Sequence, residues 1–188
     1  MDKFSKVKDE KEVVKKNRIL FDAKSFKVKT GNLGWNFIEE PDSVCVIPIL
    51  IYDNEILLRM EVIPSYQDMD SQDFHLTCIS GTMEKEETPE ECIVRELEEE
   101  AGLKLKDGIE IEIHDVLYKS KTGNSRFHLC ILPLNLYDYT EVAAVGDGSK
   151  TEELSKTVRI KSSNINRLFP SDIVTKLLLG DVKNYLNI

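Results

Sequence analysis

GTMEKEETPEECIVRELEEEAGL, residues 81–103, decides the reading of this 188-residue chain. Thr88 precedes Pro89, and Glu91 stands three residues after Thr88. A threonine hydroxyl there accepts from the third helical N–H, the glutamate reaches back, and proline suits the first helical position. Gly102 suits the left-handed position just past a helix end. The spacing therefore predicts a helix over Pro89–Ala101. Ile93, Leu97 and Ala101 recur every four residues with Val94 beside them, which predicts a stripe packed on a core.

On the neighbouring face Glu96 and Glu100 are four apart, and Glu99 is three from Glu96. Like charges at these spacings repel and destabilise a helix. A cation that neutralises them removes the conflict, and hard carboxylate oxygens suit Mg²⁺ or Mn²⁺. Cys45, Cys78, Cys92 and Cys130 are scattered and have no zinc-site spacing. Carboxylates around an ion with open positions are what is needed to bridge phosphates and activate a water. A solvated acidic face explains Glu90, Glu91 and Glu98. It does not explain why Gly81, Glu87, Arg95 and Gly102 stand where they do. Arg95 is expected to pair with Glu87 or Glu99 and orient them.

The length suits one sizeable domain and core. A net charge of −9 argues against a nucleic-acid partner. Four cysteines without close pairing point to reduced thiols and a cytoplasmic setting. The longest apolar run, Val44–Tyr52, is too short to span a bilayer, and the charged N-terminus has no apolar signal core.

Away from the helix, the pattern predicts strands at Arg18–Thr30, Trp35–Ile38, Ser43–Tyr52, Glu55–Val62, Phe74–Ile79, Ile109–Lys119, Phe127–Leu134 and Thr157–Lys161. Gly31–Gly34, Pro41-Asp42 and Asp53-Asn54 read as turns. Gln67–Gln72 and Asp138–Glu153 read as loops. Ser162 or Ser163 would cap a short turn, and Ser171–Leu179 reads as a helix ending at Gly180. Strands with a few helices packed on them give an α/β class with a mixed-sheet sandwich.

Gly81, Glu87, Arg95, Glu96, Glu99, Glu100 and Gly102, with Leu97 and Leu103, resemble the Nudix box at every defined position. Outside the box, residues 18–180 are similar to the ADP-ribose pyrophosphatases of that superfamily. The similarity runs through Pro41–Leu50, Leu57-Leu58-Arg59, the loop Tyr118–Arg126 and the late Gly146-Asp147-Gly148 loop. The resemblance implies an α/β/α sandwich preceded by a small strand pair. Residues 1–40 would be a tail and dimerisation element, and 41–188 a catalytic domain forming a homodimer. It implies a Mg²⁺-dependent hydrolase of a nucleoside diphosphate linked to X, with ADP-ribose or a nucleotide sugar as substrate. Glu96, Glu99 and Glu100 with the Ser80 carbonyl would hold the ion, and Glu153 or Glu152 on the late loop would be the general base. Trp35 would stack on adenine, and Arg59 and Arg126 would contact phosphate. The family's usual Arg, Glu and Pro are replaced by Val62, Thr77 and Ile79, and Tyr118 is similar to its counterpart in dinucleoside polyphosphate hydrolases. A dinucleoside polyphosphate or nucleoside triphosphate pyrophosphatase, or an idle nucleotide-binding regulator, is the alternative.

Overall fold

The computed structural model describes residues 27–30, 36–63, 74–146, 154–170 and 172–188. Its strands are β1 (Lys27–Thr30), β2 (Asn36–Glu39), β3 (Ser43–Leu50), β4 (Glu55–Val62), β5 (Phe74–Thr77), β6 (Ile79–Thr82), β7 (Leu103–Leu105), β8 (Asp115–Tyr118), β9 (Arg126–Leu134), β10 (Tyr139–Glu141) and β11 (Lys156–Lys161). Helix α1 is Pro89–Ala101, a 3₁₀ segment covers Ser162–Arg167, and helix α2 is Ile173–Leu186.

The unbroken apolar run of β3 makes it the central strand, buried at every position. A strand buried on both faces has no need of polar alternation. Val44, Val46 and Leu50 pack with Cys92, Ile93 and Leu97 of α1. Cys45, Ile47 and Ile49 pack with Val174, Leu178, Leu179 and Val182 of α2. The result is an α/β/α sandwich, with the order β11-β4-β3-β9-β8 in the main sheet. β9 runs parallel to β3 from Ser43↔Phe127 to Leu50↔Leu134, and the other pairs are antiparallel.

β3 and β4 stay paired only at Ile49↔Ile56 and Leu50↔Glu55, then part. β6 takes the freed edge of β3 at residues 43–46, and β5 takes that of β4 at residues 59–62. The single strand expected over Phe74–Ile79 is therefore two, broken at Cys78, and β6 runs on to Thr82. The Cys78 N–H, free of either ladder at the crossing, donates to Thr175 Oγ1 of α2 at 2.8 Å. That wedge brings Arg59 of β4 and Gly81 of β6 to the face covered by α1.

β1 and β2 form the expected antiparallel N-terminal pair. β2 also grips the loop after β8: the Ile38 N–H donates to Thr122 O at 2.7 Å, and the Asn124 N–H to Ile38 O at 3.1 Å. No helix among the described residues is long and apolar enough to cross a membrane.

Several local expectations change. Residues 109–114 form no strand, and β8 covers only Asp115–Tyr118. β7 and β10 pair with each other in a small sheet that neither short segment announces. The 3₁₀ segment has no side-chain cap, and Ser162 Oγ donates instead to Asn54 O at 2.7 Å. Val94 is 38% exposed, outside the packed stripe of α1.

α2 does not stop at Gly180 but runs to Leu186, with Asp172 as N-cap and left-handed Asn187 closing it. Val174, Leu178 and Val182 continue the buried stripe through the glycine, so packing outweighs its poor propensity. A Cβ added at Gly180 would meet nothing within 4 Å. Gly180→Ala is therefore expected to stabilise the fold by about 0.5–1 kcal/mol. A urea midpoint that rises at unchanged slope checks this, and a lower midpoint contradicts it.

Candidate active site

The local chemistry of 81–103 folds as its residues dictate. Thr88 Oγ1 accepts from the Glu91 N–H at 3.2 Å, and Glu91 Oε2 accepts from the Thr88 N–H at 2.8 Å. At the far end Gly102 sits at φ +63°, and its N–H donates to Leu97 O. A Cβ there would also lie 2.5 Å from Val142 O. The carbonyls of the last turn find further partners. Glu99 O accepts from the Val145 and Gly146 N–H groups at 3.1 and 3.2 Å. Glu100 O accepts from Thr157 Oγ1 at 2.7 Å and from Arg59 Nη1 at 3.2 Å. The C-terminal end of α1 is thus tied to β4, β11 and the segment leading to residue 146.

Arg95 is the hub of the cluster. Nε and Nη2 fork onto Glu87 at 2.9 and 3.1 Å, Nη1 reaches Glu96 Oε1 at 2.6 Å and Glu99 Oε2 at 3.1 Å, and Nη2 reaches Thr82 O at 3.2 Å. The guanidinium holds the Glu87 carboxyl below its usual range. In return Glu87 raises Arg95 further above its own. Glu87 Oε2 also accepts from the Glu84 N–H at 2.7 Å, which fixes the turn before α1. Arg95 pairs with both of the glutamates considered for it from sequence, and with Glu96 as well.

Glu96 and Glu100 do not sit on a solvated neighbouring face. They are 7% and 8% exposed and belong to the inward side of α1. Glu96 packs where β6 has no side chain: a Cβ on Gly81 would fall 1.7 Å from Glu96 Oε1. Glu100 Oε1 lies 3.2 Å from Arg59 Nη2, with Arg59 itself 5% exposed. Burial pushes the Glu100 carboxyl up to about 8. Arg59 opposes the shift, Glu96 and Glu61 add to it, and the Ser80 backbone pulls it down. Glu61 is held by Thr77 Oγ1, which donates to it at 2.6 Å.

A cleft of about 500 Å³ opens over this cluster, lined by Ser43, Ser80, Gly81, Thr82, Glu84, Arg95, Glu96, Glu99, Glu100 and Phe127. Ser80, Arg95, Glu96, Glu99 and Glu100 are thus brought together. Arg59 does not line the cleft. It lies buried against Glu100, which takes up its guanidinium and leaves it placed to hold a carboxylate. Arg126 lies on Asp42, donating from its backbone N–H at 2.8 Å and from Nε at 3.0 Å. Burial pushes the Asp42 carboxyl up, but His128, then the Arg126 backbone N–H and guanidinium, together hold it below its usual range. Trp35, Glu152 and Glu153 lie outside the described residues.

Sequence reasoning missed Ser43 and Phe127. They face each other across the parallel β3–β9 pair, a long-range register with no local signal.

The donor chemistry fits a hard divalent cation: carboxylates of Glu96, Glu99 and Glu100, and Ser80, line one cavity. In this conformation Arg95 Nη1 contacts both Glu96 and Glu99. Accordingly, no three His, Cys, Asp or Glu side chains among the described residues stand in the arrangement of a formed cation site.

No curated protein sequence matches the chain. Among solved structures, the crystal structure of an ADP compounds hydrolase has a similar fold, with a TM-score of 0.61 and 18% identity over 86% of this chain and 84% of that one. Residues 41–157 match the NUDIX domain family. The match spans more than half of the chain and contains every described residue that lines the carboxylate cleft, so this protein belongs to the Nudix family of pyrophosphohydrolases.

Proposed function

We propose that the protein hydrolyses the pyrophosphate bond of a nucleoside diphosphate linked to X, with Mg²⁺ or Mn²⁺ as cofactor and ADP-ribose or a nucleotide sugar as substrate. The observation that carries this reading is the convergence of Glu96, Glu99, Glu100 and Arg95 on one cleft of a Nudix fold. The fold shared with an ADP compounds hydrolase supports the choice of substrate class.

Glu96, Glu99 and Glu100, with Ser80, would hold the ion. When bound, it supplies charge neutralisation at the attacked phosphoryl group and lowers the pKa of water. Arg95 keeps Glu87 against the base of α1 and balances the acidic cluster until the ion arrives. Arg59 positions Glu100 by holding both its carboxylate and its carbonyl. Glu153 or Glu152 would take the proton of the attacking water. The Val145 and Gly146 bonds to Glu99 O anchor the segment leading toward them. Trp35 would stack on the base and Arg126 would contact phosphate. The test is a panel of nucleoside diphosphate derivatives with Mg²⁺ and product identification. AMP with ribose 5-phosphate from ADP-ribose supports the reading. Products confined to ATP or inorganic pyrophosphate from other nucleotides would sink it.

A pH dependence follows from Glu100. Burial pushes its folded carboxyl up from the ordinary 4.5 to about 8. Between those values the folded chain holds a proton that the unfolded chain has lost, so stability without the ion falls as pH rises through that window. Ion binding requires the carboxylate and releases that proton. The Mg²⁺-induced rise in Tm is therefore expected to be larger at about pH 8.5 than at about pH 6.5. Equal shifts at both, or a larger one at low pH, contradict the assignment of Glu100.

A further inference from the structure

A cleft lined by four glutamates must still attract a polyphosphate. Among the described residues, its one lining cation is Arg95, which is engaged by Glu87, Glu96 and Glu99. Beside it stands a second cation with no such engagement. Lys119 Nζ donates to Ser43 Oγ at 2.8 Å and to Pro41 O at 3.1 Å, and lies 5.2 Å from the centre of the Phe127 ring. Ser43 and Phe127 both line the cleft. No carboxylate among the described residues lies within ion-pair distance of Lys119, unlike Arg126, which is bound to Asp42. An ammonium has three donors, and these contacts take two.

The loop that carries Lys119 is held in place. The Lys119 N–H donates to Ser125 O at 3.0 Å, and Ser125, 1% exposed, donates from Oγ to Glu40 at 2.8 Å. β2 bonds the same loop through Ile38, to Thr122 O and from the Asn124 N–H. A charge held this way loses little freedom when a ligand arrives.

Resting on the hydrolase reading above, we propose that Lys119 is a substrate-binding residue. It contacts a phosphate of the nucleoside diphosphate at the Ser43–Phe127 end of the cleft, and β2 sets its position through the 119–125 loop. A positive charge at this rim supplies the attraction that the acidic cluster lacks, and the third N–H is the donor left for a phosphate oxygen.

The test compares wild type with Lys119→Gln, which keeps a hydrogen-bonding side chain without the charge, and Lys119→Arg, which keeps the charge. Three quantities are measured: KM and kcat on the nucleoside diphosphate derivative that wild type turns over, calorimetric binding of α,β-methylene-ADP with Mg²⁺, and Tm. K119Q is expected to weaken binding and raise KM by about 10- to 100-fold, the range for a lost charge-assisted hydrogen bond. Its Tm stays near wild type, its KM depends less on ionic strength, and K119R recovers most of the loss. K119Q with wild-type KM and binding overturns the Lys119 assignment while leaving the hydrolase reading intact. Equal losses of kcat and Tm in K119Q and K119R also overturn it, because they indicate a structural role. A wild type that neither turns over any derivative nor binds α,β-methylene-ADP removes the hydrolase reading, and Lys119 with it.

Discussion

Glu100→Gln is expected to lower kcat/KM by at least about 10²–10³-fold, the cost of removing one preorganised electrostatic group from a site of this kind. The structure also dictates what the substitution leaves alone. Burial pushes the Glu100 carboxyl up, so the ion-free fold does not favour its charge. A glutamine has the shape of that side chain without the charge, and its amide oxygen remains available to Arg59 Nη2. The backbone bonds from Arg59 and Thr157 to Glu100 O do not involve the side chain. Ion-free Tm should therefore stay near the wild-type value. The rise in Tm with Mg²⁺ should shrink sharply, because the amide carries no charge for the cation. Near wild-type turnover in E100Q, or an unchanged Mg²⁺ shift, would remove Glu100 from the ion site.

Gly81→Ala should rank second in size, without any change to a carboxylate. The new Cβ would stand 1.7 Å from Glu96 Oε1, 2.0 Å from Cδ and 2.4 Å from Cγ. The whole end of the Glu96 side chain would have to leave its place, which is 7% exposed and held by Arg95 at 2.6 Å. Overpacking of this kind costs about 1–3 kcal/mol of stability. Activity should fall by about 10²-fold or more, since a small misplacement of a positioned group has effects of that size. A double-mutant cycle isolates the cause: in a Glu96→Ala background, G81A should have little further effect on turnover. Additive losses would show that Gly81 acts through something other than Glu96. The opposite sign expected for the same substitution at Gly180 separates a glycine that makes room from one that merely weakens a helix.

What was legible in the sequence was local. The capping box of Thr88 and Glu91, the left-handed Gly102 and the span of α1 depend on residues within a few positions of each other, and spacing alone predicts them. β3 was legible because a strand buried on both faces needs no partner to announce it. The three glutamates could be placed on one region of α1, but not their depth. Burial of Glu96 and Glu100 depends on Gly81 and Arg59, which come from strands that meet α1 only after the sheet forms. For the same reason the contact between the Arg59 guanidinium and Glu100 could not be seen in the sequence, where the resemblance assigns Arg59 to phosphate. The break at Cys78, the β7–β10 pair and the position of Lys119 on Ser43 all rest on contacts between distant segments. Gly180 misled because helix propensity was weighed without the buried stripe beneath it.

The proposed cation-dependent hydrolysis at the box carboxylates is tested most directly by AMP release from ADP-ribose as a function of Mg²⁺ concentration, for wild type and E100Q side by side. Wild type is expected to release AMP with ribose 5-phosphate at a rate that rises with Mg²⁺ and stops in excess chelator, and E100Q almost none at any Mg²⁺ concentration. Release that persists in chelator, or that E100Q matches, would contradict it.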